Sequence, residues 1–211
     1  VRFPRLYAIV DAEMLTSRRI ELPGFVEELR DAGVTLLQYR DKLGSEETIL
    51  RNAEIITEIF RGSEATLVMN DSPMLAHLAG WNAVHVGQSD AAIAAARTAL
   101  SQPALVGCST HTEQQVIAAD AAGADYIAIG PVFATSTKLN AEPVVGLEGV
   151  RRARAFTTRP LVAIGGITLE NAASVIKAGA DSIAVIGALL QTSGAGVAAK
   201  AFLASMPPAQ S

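Results

Sequence analysis

Four times in this chain an alanine-rich stretch of helical period ends in a glycine and gives way at once to a short apolar run. The junctions are Asp31-Ala32-Gly33-Val34, Leu78-Ala79-Gly80-Trp81, Ala122-Gly123-Ala124-Asp125 and Ala178-Gly179-Ala180-Asp181. A glycine there takes the left-handed conformation that stops a helix, and the chain turns directly into a strand. A βα unit repeated in this way, tightly closed on its helix-to-strand side, leaves few folds open. Eight apolar runs supply the strands: Leu6–Val10, Val34–Tyr39, Thr66–Met69, Ala83–Val86, Leu105–Cys108, Tyr126–Ile129, Leu161–Ile164 and Ser182–Ile186. Most lack polar/apolar alternation, as strands do when helices cover both faces of a parallel sheet. Helical spacing fills the intervals. In Glu46–Phe60, Ile49, Ala53, Ile56 and Phe60 share a face, and Ser45 stands at the N-cap ahead of Glu46 and Glu47. Eight such units in 211 residues predict an α/β fold, a single-domain (β/α)₈ TIM barrel over residues 1–206 with a short frayed tail at 207–211. A doubly wound open sheet is the alternative.

Charge and cysteine content narrow the functional classes. Lys+Arg total 17 against 21 Asp+Glu, a net charge of −4. A general nucleic-acid binder carries a basic footprint, so that class is disfavoured. The one cysteine, Cys108, allows no intrachain disulfide and reads as a core residue. No apolar run approaches the ~18 residues of a membrane span, and the opening residues do not form a signal peptide. The expectation is a soluble cytoplasmic protein that acts on small molecules, with no nucleic-acid or membrane partner. Its oligomeric state, homo-oligomer or monomer, is left open.

In a barrel, function gathers where strands run out into the following loops, and the polar residues fall there. Strand 2 ends in Gln38-Tyr39-Arg40-Asp41-Lys42, strand 3 in Asn70-Asp71, and strand 4 runs on to Gly87-Gln88-Ser89-Asp90. Strand 5 ends in Ser109-Thr110-His111, and strand 6 opens into a loop holding Thr135-Ser136-Thr137-Lys138. Arg40, Lys42 and Lys138, beside Asn70 and Ser109, look like a polyanion site, since a guanidinium grips two phosphate oxygens and lysines add point charge. Gly165-Gly166 and Gly187, after the last two strands, suit backbone N–H groups offered to a second phosphate. Asp71 and Asp90 end adjacent strands. Next to a diphosphate, such a carboxylate pair suits Mg²⁺, unless Asp71 is spent capping the helix that follows. His85 reads as a packed residue, and no nucleophile with an activating base stands out. The rim fits a reaction in which a leaving group departs as an anion while the protein positions and stabilises charge.

Together these pieces resemble the thiamine phosphate synthase family, over almost the whole chain. The matching segments are Leu37–Lys42, Met69-Asn70-Asp71, Val84–Asp90, Gly130-Pro131-Val132-Phe133 with Thr135–Lys138, and Ala163–Thr168. The resemblance implies joining a hydroxymethylpyrimidine diphosphate to a thiazole phosphate, with diphosphate released by a dissociative route. It implies that Gln38 addresses the pyrimidine, and that Arg40, Lys42, Asn70, Ser109 and Lys138 hold the diphosphate. Arg40, Lys42, Ser109 and Lys138 are the catalytic candidates. Asp71 and Asp90 would bind Mg²⁺, while Thr135, Thr137, Gly166, Ile186 and Gly187 would hold the thiazole phosphate. Tyr39, Asp41 and Ser136, inside the matched segments, count as substrate-binding positions. Two residues depart from the family pattern: Gly187 stands where a serine is usual, and Asn82 where an aspartate often precedes strand 4. A related thiazole tautomerase is the nearest rival, and a phosphate-ligand sensor on the same scaffold is a second.

Overall fold

The computed structural model describes residues 3–135, 143–190 and 194–206. Eight parallel strands close on one another in chain order: β1 (Leu6–Asp11), β2 (Leu36–Arg40), β3 (Thr66–Asn70), β4 (Ala83–Val86), β5 (Leu105–Thr110), β6 (Tyr126–Ile129), β7 (Leu161–Ile164) and β8 (Ser182–Val185). The closing pair sets Leu6, Tyr7 and Ala8 of β1 against Ile183, Ala184 and Val185 of β8. The expected barrel is therefore formed, and the open-sheet alternative falls.

Helices α1 (Ala12–Arg18) and α2 (Leu22–Asp31) follow β1. Then come α3 (Glu46–Ile59), α4 (Pro73–Leu78), α5 (Ile93–Ala99), α6 (Glu113–Ala121), α7 (Gly146–Ala155), α8 (Leu169–Lys177) and α9 (Ala195–Ser205). Ser45 caps α3 by accepting the Thr48 N–H at 3.2 Å. At the four helix-to-strand junctions Gly33, Gly80, Gly123 and Gly179 all have positive φ, from 73° to 115°. Strand limits shift by one or two residues where hydrogen bonds decide them. The Val34 N–H closes the end of α2 on the Leu29 carbonyl at 3.1 Å, so β2 starts later than the apolar run. Ser109 and Thr110 pair with Ala128 and Ile129, so β5 runs further.

Alternation along the strands separates two cores. One face packs outward against the helices, with Leu6, Ala8, Val10, Leu37, Tyr39 and Met69 among the buried residues. The other fills the barrel with Tyr7, Ile9, Leu36, Val68, Ala83, Tyr126, Ala128, Val162 and Ala184. The interior is filled by these side chains, as in barrels generally. It must also admit the Tyr126 ring, and Gly107 provides the space. A Cβ at Gly107 would lie 1.9 Å from Tyr126 Cζ.

Candidate active site

Strand parity decides which polar residues reach the barrel mouth. In β2, Gln38 shares the inward face with Leu36, and Arg40 follows at the rim. The Arg40 guanidinium bonds the Asp11 carboxylate at the end of β1 and Glu13 Oε2 at 2.9 Å. Asp11 also accepts the Met14 N–H at 3.0 Å, capping α1. Glu13 Oε1 accepts the backbone N–H groups of Lys42 at 2.5 Å and Leu43 at 3.2 Å. These two carboxylates fix both the guanidinium and the segment after β2. Sequence reading missed them, although Asp11 carries the same signal as the others, a polar residue at a strand end.

Asp71 follows β3 in a left-handed conformation, φ 63°, with its N–H bonded to the His85 carbonyl at 2.8 Å. Ser72, not Asp71, caps α4 by accepting the Leu75 N–H at 3.2 Å. The Asp71 carboxylate is thereby kept for the mouth, where Oδ2 lies 2.7 Å from Lys42 Nζ. Asp90 accepts the Gly87 N–H at 2.6 Å. Burial raises the Asp90 carboxyl above its ordinary pKa. The Asp71 carboxylate, within hydrogen-bonding reach, raises it further, against the opposing Gly87 bond. Two neighbouring acids of this kind could hold a hard divalent cation. Among the described residues no His, Cys, Asp or Glu cluster of three or more gathers to hold a metal. A cation on this pair would therefore draw its other ligands from substrate and water, the usual habit of Mg²⁺.

Asn70 stands beside His85 in the β3–β4 register, and Ser109 is on β5, where the Gln88 side chain bonds its carbonyl at 2.7 Å. Beneath them lies a buried polar chain. Gln38 Nε2 donates to the Tyr7 hydroxyl at 2.7 Å, and the Tyr7 and Tyr126 hydroxyls are 2.8 Å apart. Tyr126 meets His85 Nδ1 at 3.0 Å, and His85 Nε2 meets Ser109 Oγ at 2.8 Å. Burial pushes the Tyr7 phenol far above its ordinary pKa and raises that of Tyr126 as well, so both keep their protons.

The loops after β6 and β7 lie against each other. Val132 donates to the Ile164 carbonyl at 2.9 Å and Phe133 to the Gly165 carbonyl at 3.0 Å. Gly166 has φ 63°, and a Cβ there would sit 2.5 Å from the Ala134 carbonyl, so the approach of the two loops requires glycine. Thr135 is half-buried beside this contact. Ile186 and Gly187 leave the end of β8, with Gly187 opening a 3₁₀ turn over Gly187–Leu189. Ser136, Thr137 and Lys138 lie outside the described residues.

Two expected substrate-binding residues, Tyr39 and Asp41, have their side chains engaged within the scaffold. Tyr39 faces outward into the helix layer, fully buried, with its hydroxyl between Asn52 Nδ2 at 2.7 Å and Asp41 Oδ2 at 3.0 Å. Asp41 Oδ1 accepts the Leu43 and Gly44 N–H groups at 3.2 and 2.6 Å, closing the turn before α3. Period two in the strand puts Tyr39 on the face opposite Gln38 and Arg40, while Asp41, just past the strand, bonds the turn that follows.

A sequence profile of thiamine monophosphate synthase matches residues 6–189. The chain belongs to the thiamine monophosphate synthase family. A thiamine-phosphate synthase of Koribacter versatilis is 50% identical over 192 residues, 90% of each chain. One from Nitrosococcus oceani is 40% identical over 204 residues, covering 96% of this chain and 92% of that one. Among solved structures, a thiamine phosphate pyrophosphorylase from Pyrococcus furiosus superposes with a TM-score of 0.83 at 28% identity, over 95% of this chain and 94% of that one. A 3-hexulose-6-phosphate synthase, at 18% identity and TM-score 0.68, shares the barrel alone. With this family the chain is an enzyme, a transferase. No helix among the described residues is long and apolar enough to cross a membrane.

Proposed function

We propose that the protein joins a hydroxymethylpyrimidine diphosphate to a thiazole phosphate, giving thiamine phosphate and diphosphate. One observation carries this reading: Asp71 and Asp90 face each other at a mouth that also holds Lys42 and Arg40. A tautomerase of the same barrel needs no grip on a diphosphate, and a sensor needs no such carboxylate pair.

In this reading Gln38 orients the pyrimidine from inside the barrel, while Arg40, Lys42, Asn70 and Ser109 converge on its diphosphate from β2, β3 and β5. Lys138, outside the described residues, is assigned to the same anion on the sequence match. Gly166 and the Ile186-Gly187 backbone hold the thiazole phosphate, with Thr135 and, on the sequence match, Thr137. The bond from the pyrimidine methylene carbon to the diphosphate oxygen breaks, and the electron pair leaves with the oxygen. The thiazole nitrogen lone pair then forms the new bond to that carbon. Cationic and hydroxyl donors fixed before the reaction stabilise the departing charge at little reorganisation cost. Asp71 and Asp90 would hold Mg²⁺, which supplies charge neutralisation to the diphosphate when bound.

The test is product formation from the two purified substrates with and without Mg²⁺. Thiamine phosphate and diphosphate in equal amounts, dependent on the cation, is the expected result. Isomerisation of a thiazole phosphate with no coupling at saturating substrates would replace this reading with the tautomerase one.

A further inference from the structure

The hydrogen-bonded run beneath the mouth joins Gln38 to Ser109 through side chains of five different strands, and its donors can be counted. Gln38 gives an amide proton to the Tyr7 oxygen, so the single Tyr7 proton goes to Tyr126. Tyr126 then points its own proton at His85 Nδ1, which must be bare. His85 accordingly carries its proton on Nε2 and gives it to Ser109 Oγ. Ser109 is left with its hydroxyl proton turned away from the chain. Run in the opposite sense, Ser109 donates to His85, His85 to Tyr126 and Tyr126 to Tyr7. The Tyr7 oxygen would then accept from both Gln38 and Tyr126, leaving its own buried proton with no acceptor in the chain, which is the costlier arrangement.

We infer that Tyr7, Tyr126 and His85 are positioning residues: a one-way hydrogen-bond chain, anchored on Gln38, that presents the Ser109 hydroxyl as a donor to the departing diphosphate. The inference rests on the synthase reading above and adds to it the device that sets the direction of one donor. Gly107 belongs to that device, because the Tyr126 ring occupies the space its missing Cβ leaves. A hydroxyl whose lone pair faced the anion would repel the charge it is meant to stabilise. The chain removes that choice before substrate arrives.

The test uses the Tyr126→Phe protein, which keeps the ring and loses the relay. We expect kcat to fall about tenfold, the size of one hydrogen bond to a charged group, with KM for thiazole phosphate within about twofold of wild type. Because Tyr126 acts through Ser109, the Tyr126→Phe/Ser109→Ala double variant should be no slower than Ser109→Ala alone. A merely structural role for Tyr126 would make the two losses multiply. Nitrogen-15 NMR of the free enzyme gives a readout independent of turnover. His85 should be neutral with its proton on Nε2 and an unprotonated, hydrogen-bonded Nδ1 whose resonance shifts in Tyr126→Phe. A proton on Nδ1, multiplicative losses in the double variant, or an unchanged kcat in Tyr126→Phe would each overturn the inference. A wild type that couples nothing would overturn the synthase reading and the chain's purpose with it, while the NMR tautomer would still decide whether the chain runs as described.

Discussion

Replacing Gly107 by alanine tests whether the barrel interior is built around one ring. The new Cβ would lie 1.9 Å from Tyr126 Cζ and 2.4 Å from both Cε atoms, far inside van der Waals contact. Tyr126 is completely buried and is held by hydroxyl bonds to Tyr7 and His85, so the ring has no open space to swing into. Overpacking of this kind costs ~1–3 kcal/mol. Pulling the hydroxyl off two partners adds about 1 kcal/mol for each bond. A loss of roughly 3–5 kcal/mol in a domain of this size lowers Tm by roughly 6–20 °C. Thermal and urea denaturation of the two proteins measure it. Tyr126→Ala alone, which empties the same space, should cost about 3–5 kcal/mol by analogy with other large-to-alanine changes. The double variant should fall well short of the sum, since the added methyl then meets no ring. A Gly107→Ala protein melting within about 2 °C of wild type, or strict additivity in the cycle, would refute the argument.

Asp71→Asn and Asp90→Asn proteins should stay folded and lose more than about tenfold in kcat/KM, roughly 1.4 kcal/mol of transition-state stabilisation; a smaller loss in either would remove it from the cation site. Gly187 has no positive φ and sits in a 3₁₀ turn that serine also adopts. Gly187→Ser should therefore lower KM for thiazole phosphate and leave that for the pyrimidine diphosphate alone, as steady-state titration of each substrate would show. Burial, with Asp90 adding, holds the Cys108 thiol above its ordinary pKa. Iodoacetamide should label Cys108 slowly near pH ~8 and faster only at higher pH, as mass spectrometry of timed samples would read. The same shift makes stability fall as pH rises from the ordinary thiol range through the raised value, because the unfolded chain releases there a proton that the folded chain keeps. Cys108→Ala should flatten that slope in urea titrations across the range.

The barrel was legible because its signals are local. Each junction glycine sits beside the helix it ends, and each apolar run lies within a few residues of its flanking turns. The mouth was partly legible for the same reason, since Arg40, Asp71 and Asp90 all stand at strand ends. Parity would have separated Tyr39 from Gln38 and Arg40, yet a contiguous motif conceals that alternate residues face opposite ways. The buried chain left no local mark. Tyr7 and Tyr126 are 119 positions apart, and Tyr126 and His85 are 41 apart. Each is a single polar group in an apolar run, which reads as core until closure brings the strands together. The pairing of Arg40 with Asp11 and Glu13 has the same origin, for those acids belong to the preceding βα unit.

That last pairing has a consequence for what can enter. Among the described residues, the rim sets two cations, Arg40 and Lys42, among four carboxylates, Asp11, Glu13, Asp71 and Asp90. Counted over these described groups, a bare polyanion meets more carboxylates than cations. The same anion arriving with a divalent counter-ion is close to neutral, and its counter-ion is the partner the carboxylates want. Among the described groups, the balance of charge thus favours a diphosphate that brings its counter-ion with it over one that arrives without.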